Sequence, residues 1–317
     1  PNQRAQALVL TPDGTVIVVG KSLETGSKVE GLVVAFDPNG ALLGGEKVDA
    51  STTSTVYAGA AVESALSVIA VGEADNGLAS RIDVLDGTLD PNYGDGGLGN
   101  VEGKDKKATT CHDVLVIGSR TLVTCKAGTV FDLIALQPDS TLDTTFGTNG
   151  SALAPASPSG SQEPWTTVAT SDRLIQVGVS APSVQPRGVA VRVLLTTGAP
   201  DPTFADGGVA TYAPSRQGST GAQAFSAVVT DAGLWMGGTI ELDSNRRGLV
   251  MRIDPSTGAV DPKFAAGDGV SSPQWPANQL VVRKLAVQGD RVIAAALAGS
   301  TFGEQTSLDV VLIRYVP

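Results

Sequence analysis

His112 is the only histidine in the chain, and it stands between Cys111 and Asp113. An imidazole beside a carboxylate is the equipment of a general base near neutral pH. On a strand, however, adjacent residues point to opposite faces, so His112 and Asp113 make a poor dyad. The simpler expectation is a partly exposed histidine next to a disulfide, which leaves His112 as a weak catalytic candidate. One histidine excludes a multi-His zinc site, and with both cysteines paired no soft ligand set remains, so no metal site is expected. The sequence has no Gly-x-Ser-x-Gly elbow and no Gly-rich phosphate loop leading into a helix. Glu63, Asp113, Glu163, Asp172 and Asp231 fall in or near strands where a glycosidase pair could be sought. Such a pair needs a carboxyl separation of about 5–9.5 Å, and most of these residues read more simply as turn formers.

The two cysteines, Cys111 and Cys125, lie seven residues to either side of Gly118 in a Gly-Ser turn. Opposed residues of an antiparallel hairpin come close enough for a disulfide, with two buried free thiols as the alternative. A bridge implies an oxidising compartment. The chain starts at Pro1 without a signal-like segment, which fits a mature exported or trimmed chain. An extracellular, cell-surface or periplasmic location is therefore expected.

The 22 Lys and Arg against 32 Asp and Glu give a net charge of −10, a field that repels phosphate backbones and anionic membranes. The densest charge cluster, Glu102-Gly103-Lys104-Asp105-Lys106-Lys107, has too few lysines to argue for nucleic acid. No apolar run approaches membrane-spanning length; Val292 to Ala298 is among the longest. With 42% hydrophobic residues but only 7 Phe, 4 Tyr and 3 Trp, the core must be aliphatic.

Internal repetition dominates the rest of the sequence. An apolar-Asp-x-x-aromatic element followed by Gly or Ala recurs with its aspartate at Asp90, Asp143, Asp201 and Asp261 and its aromatic at Tyr93, Phe146, Phe204 and Phe264. Before each element runs an apolar segment ending in a turn, such as Gly248 to Ile253 ahead of Asp254-Pro255-Ser256-Thr257-Gly258. Further upstream lies a hairpin, clearest in Ala7 to Gly20 around Thr11-Pro12-Asp13-Gly14. The stretch Ala60 to Val71 has no breaker and could be drawn as a helix. Tyr57 to Gly72 nevertheless aligns without gaps on Ala5 to Gly20, which argues for two strands.

One repeat is thus four strands, and six copies are traced over residues 5–51, 57–103, 110–156, 165–214, 222–275 and 282–317. The expected fold class is all-β: a single-domain, six-bladed β-propeller of four-stranded antiparallel blades. The sixth copy stops after its third strand, and Pro1 to Arg4 is too short to supply a full outer strand. Either that blade has three strands or residues upstream of Pro1 contribute.

The pattern resembles the delta-60 repeat family, known mainly from secreted and surface proteins of myxobacteria and related bacteria, over nearly the whole chain. The first repeat lacks the Asp-x-x-Phe part, and the third has Cys125 in place of the usual Gly after the second strand. The resemblance implies that the first strand of each blade lines the axis. One rim would then carry the loops at 21–30, 73–79, 126–130, 179–187, 239–247 and 298–307 with the crossings at 52–56, 102–109, 157–164, 215–221 and 276–281. Gln6, Tyr57, His112, Trp165, Gln223 and Arg283 would approach the channel mouth, with Tyr57, His112, Trp165 and Arg283 as the candidate binding set.

The leading functional expectation is a noncatalytic exported scaffold that binds a protein or glycan partner through that rim. An alternative is a hydrolase or lyase on a sugar or lactone with its site at the channel mouth; another is a structural component of a cell-surface assembly. No cofactor is expected. Calcium on the repeated aspartates is the variant considered, but one or two carboxylates per copy fall short of the six to eight oxygens it takes.

Overall fold

The computed structural model describes residues 2–23, 28–50, 54–103, 109–155, 161–181, 185–213, 219–242, 245–273, 279–299 and 309–316. The chain divides into two compact units, Pro1–Leu153 and Ala154–Pro317. The first unit holds three four-stranded antiparallel sheets. They comprise β1 (Asn2–Leu10), β2 (Val16–Leu23), β3 (Val29–Phe36) and β4 (Leu42–Val48); β5 (Val56–Val62), β6 (Ser67–Glu73), β7 (Gly77–Asp83) and β8 (Leu98–Val101); and β9 (Thr109–Ile117), β10 (Arg120–Ala127), β11 (Val130–Leu136) and β12 (Ser151–Leu153).

The second unit holds β13 (Ser161–Ala169), β14 (Arg173–Ala181), β15 (Arg187–Leu194) and β16 (Val209–Tyr212); then β17 (Ser219–Thr230), β18 (Gly233–Leu242), β19 (Asn245–Ile253) and β20 (Val270–Ser271). Its last sheet has three strands, β21 (Gln279–Gln288), β22 (Arg291–Gly299) and β23 (Asp309–Tyr315). The fold is a six-bladed β-propeller with a three-stranded last blade.

The strands follow from side-chain pattern. Middle strands covered on both faces read as unbroken apolar runs, as in β11, where every residue after Val130 is buried. Consecutive sheets share aliphatic cores: Ile17, Val19, Val33 and Ala35 of the first sheet pack with Val68, Ala70 and Ile82 of the second. Met236, Met251 and Ile253 of the fifth pack with Ile175, Val177 and Ala190 of the fourth. Each of the Val, Ile and Met side chains, fully buried, contributes about 2 kcal/mol of apolar transfer. The stretch Ala60 to Val71 forms β5 and β6, joined by a turn in which the Ser64 N–H donates to the Ser67 carbonyl.

Every first strand is interrupted at one equivalent point. The pairing with the second strand slips by one residue at Gln6, Ala58, His112, Trp165, Phe225 and Arg283, leaving that residue out of the ladder as a β-bulge. Across from the bulge the second strand carries Gly20, Gly72, Cys125, Gly178, Gly238 or Ala296. The glycines let the bulged backbone press inward: a Cβ on Gly238 would lie 1.8 Å from the Gln223 carbonyl oxygen, and one on Gly72 1.9 Å from that of Val56. The bulge also lets the first strands run further than their apolar patterns indicate, so β13, β17 and β21 begin three or four residues ahead of the expected blade starts.

Candidate functional site

Within each unit the first strands of successive sheets pack side by side, β1 against β5 and β5 against β9, then β13 against β17 and β17 against β21. The bulges are therefore neighbours. In the first unit the contact is between backbones: a Cβ on Gly59, next to the bulged Ala58, would meet the His112 carbonyl oxygen at 2.8 Å. In the second unit large side chains meet. Trp165 and Phe225 pack edge to face with ring centroids 5.7 Å apart, and the Arg283 guanidinium lies 5.2 Å from the centroid of Phe225. Both rings are half-buried, while Arg283 is exposed.

Arg283 nevertheless loses enough hydration that its pKa is lowered, first by burial of its base and then by repulsion from Arg246. Among the described residues no carboxylate pairs with it, whereas Arg246 lies 3.4 Å from Glu241. A cation beside a ring that itself packs edge to face with a second ring can receive an anionic group and an apolar surface together.

Of the sequence-derived binding set, Trp165 and Arg283 are brought together, with Phe225 between them. Gln223, expected at this level of the fifth sheet, pairs regularly with Thr239 instead. Tyr57 is a core residue rather than a surface one: it is fully buried, its hydroxyl is 2.7 Å from that of Ser80, and the bulge of its strand is Ala58. Burial raises its pKa. The missed residues, Phe225 and Ala58, were findable from spacing, since the bulge precedes the second-strand glycine by 13 or 14 residues: Gln6 and Gly20, Ala58 and Gly72, Trp165 and Gly178, Phe225 and Gly238.

His112 is the bulge of the third sheet, half-buried and adjacent to the bridge between Cys111 and Cys125, whose sulfurs are 2.07 Å apart. Much of the expected rim lies outside the described residues: 24–27, 182–184, 243–244 and 300–307 of its loops, and 52–53, 104–108, 157–160, 215–218 and 276–278 of its crossings, including Lys104 to Lys107.

The repeated aspartates are tied up within the fold. In each copy Oδ1 accepts the N–H two residues on, from Asn92, Thr145, Thr203 or Lys263. An arginine then reaches the carboxylate and covers the aromatic that plugs the sheet. Arg81 lies 3.7 Å from Asp90 and 4.7 Å from the Tyr93 centroid, although its bidentate partner is Glu63. Arg120 binds Asp143 at 2.7 Å over Phe146, and Arg252 binds Asp261 at 2.8 Å over Phe264.

In the fourth sheet two arginines converge on one carboxylate, Arg173 Nε at 2.5 Å and Arg192 at 3.0 Å from Asp201. Burial works to raise the Asp201 pKa. The Thr203 hydroxyl, the Arg173 guanidinium and the Thr203 N–H outweigh it and hold this carboxyl well below the usual range. Arg81 and Arg192 also donate to the Pro138 and Pro255 carbonyls in the next sheet, so the same side chains clamp neighbouring blades. Among the described residues no group of three or more His, Cys, Asp or Glu is disposed to hold a metal ion, and no helix is long and apolar enough to cross a membrane.

No protein-family model and no curated protein sequence matches the chain. Solved structures do. The aldose sugar dehydrogenase of Streptomyces coelicolor in its PQQ-bound form superposes with a TM-score of 0.53 over 98% of this chain and 96% of its own, at 13% identity. A Thermus thermophilus protein assigned as a glucose dehydrogenase gives 0.52 over 97% and 96%, at 15% identity. A Lactobacillus plantarum protein gives 0.52 over 98% and 84%, at 13% identity. At such identities the likeness is one of fold alone.

Proposed function

We propose that this protein is an exported, noncatalytic propeller that binds a partner through the bulges of its first strands, and that the partner is a glycan bearing carboxylate groups. The observation that carries the reading is the contact chain Trp165, Phe225 and Arg283, with Arg283 lacking a carboxylate partner among the described residues. Sugar rings present flat C–H faces that stack on indole and phenyl groups, and a uronate carboxylate matches the fork of a guanidinium. Aromatic residues and arginine are also the residue types that concentrate binding energy at interfaces. Export is supported by the disulfide, which persists in oxidising compartments, and by the resemblance to a secreted repeat family.

The test is a screen of neutral and carboxylated oligosaccharides, with calorimetric titration of the hits. Carboxylated glycans are expected to bind, with at least tenfold weaker affinity in Trp165→Ala and Arg283→Gln. A hydrolase or lyase screen run beside it with His112→Ala completes the comparison: turnover of a sugar or lactone that this substitution abolishes would overturn the reading, as would glycan binding indifferent to Trp165 and Arg283.

A further inference from the structure

The sixth sheet rebuilds the carboxylate cradle of the fourth. In the fourth sheet Ile175 faces Arg192, and Arg173 stands two residues before Ile175 with Asp172 ahead of it. In the sixth, Ile293 faces Arg314, and Arg291 stands two residues before Ile293 with Asp290 ahead of it. Arg173 and Arg192 both close on Asp201, which leads into Phe204 and then into the fourth strand, β16. Among the described residues the sixth sheet has no fourth strand. Arg291 is left with Asp290 at 3.5 Å, in a pair whose members stay 40% and 78% exposed, and among the described residues no carboxylate pairs with Arg314.

The edge beside this cradle is open as well. In the fifth sheet Val250 and Met251 pair with β20, and the matching residues of β23 are Leu312 and Ile313. Val310, Leu312 and Val316 are 73%, 69% and 64% exposed. An edge strand with unpaired backbone groups and apolar side chains is a template for strand addition. The chain's own Asp-x-x-aromatic elements, at Asp90, Asp143, Asp201 and Asp261, are already seated in their sheets.

We propose that β23, with Arg291 and Arg314, is an acceptor for an extended segment that carries an aspartate three residues ahead of a Phe or Tyr and a short strand after it. The aspartate enters between the two guanidinium groups as Asp201 does, and the strand pairs with Val310 to Ile313. The inference is independent of the glycan reading, since it uses neither Trp165 nor Arg283.

The probe is a fluorescein-labelled peptide with the sequence of residues 199–212, titrated by fluorescence anisotropy into the intact protein. Saturable binding is expected, at least tenfold weaker when the peptide carries Asp201→Asn or the protein carries Arg314→Gln. Hydrogen exchange of residues 309–316 is expected to slow on binding. The peptide substitution reads the same contact without altering the protein, so the test stands even if R314Q folds poorly. Absence of saturable binding, or binding unchanged by the loss of the peptide carboxylate, overturns the proposal.

Discussion

Cys111 lies opposite Cys125, and not opposite Lys126, because His112 is looped out of the ladder between β9 and β10. The turn at Gly118-Ser119 sets Ile117 across from Arg120, and an unbroken ladder from there would bring Cys111 to Lys126. The bulge moves the register by one residue, so Lys126 faces Thr110 instead. Symmetry about Gly118 finds the right pair of cysteines, but the hairpin centre is half a residue further on and the bulge makes up the difference.

This register can be tested with the bridge itself. The double variant Cys125→Thr, Lys126→Cys is expected to keep two free thiols under oxidising conditions, counted by thiol titration of the denatured protein. A bridge forming efficiently in that variant would mean that the ladder is continuous. Breaking the native bridge with Cys125→Ala is expected to cost about 3 kcal/mol for a sequence separation of 14, read from denaturant unfolding.

The residue after each plugging aromatic takes a left-handed conformation, φ 57° at Gly94 and Gly147 but also 44° at Ala205 and 50° at Ala265. An alanine there is strained by its Cβ. Ala205→Gly is expected to stabilise the protein by about 1 kcal/mol. Gly147→Ala should do the reverse, since its Cβ would sit 2.1 Å from the Ser151 carbonyl oxygen. Chemical denaturation of the two variants measures both signs; a destabilised Ala205→Gly would contradict the account.

Asp201 links stability to acid. Its pKa is held below the ordinary 3.8 in the folded protein, so its contribution is complete above pH 3.8 and is lost as the pH falls through the depressed folded value. Asp201→Asn is expected to cost about 3 kcal/mol at neutral pH, because two guanidinium groups then face a neutral amide. The gap between wild type and variant should narrow as the pH drops below 3.8. Unfolding curves from pH 7 to pH 2 follow it, and a gap that stays constant across that range would refute the role of the carboxylate charge.

Much of the fold was legible because the repeat spells out local chemistry. The Asp-x-x-aromatic elements predict their own turns, since an aspartate bonds the N–H two residues on wherever it starts such a turn, and Asp90, Asp143, Asp201 and Asp261 all do so. The arginines that complete these elements were not legible. Arg81, Arg192 and Arg252 come from third strands, while Asp143 is met by Arg120 of a second strand.

The amino-acid sequence by itself determined the number of sheets and the order of strands within them, because both rest on turns and alternation spanning a few residues. Only the tertiary structure decided which side chain each first strand pushes out. A one-residue slip sends every later side chain to the opposite face, so Tyr57 went to the core and Phe225, not Gln223, came to lie between Trp165 and Arg283. That slip falls where the first strand folds in against its neighbours, opposite a glycine in four of the sheets and opposite Cys125 and Ala296 in the others, a condition set by packing between segments rather than within them.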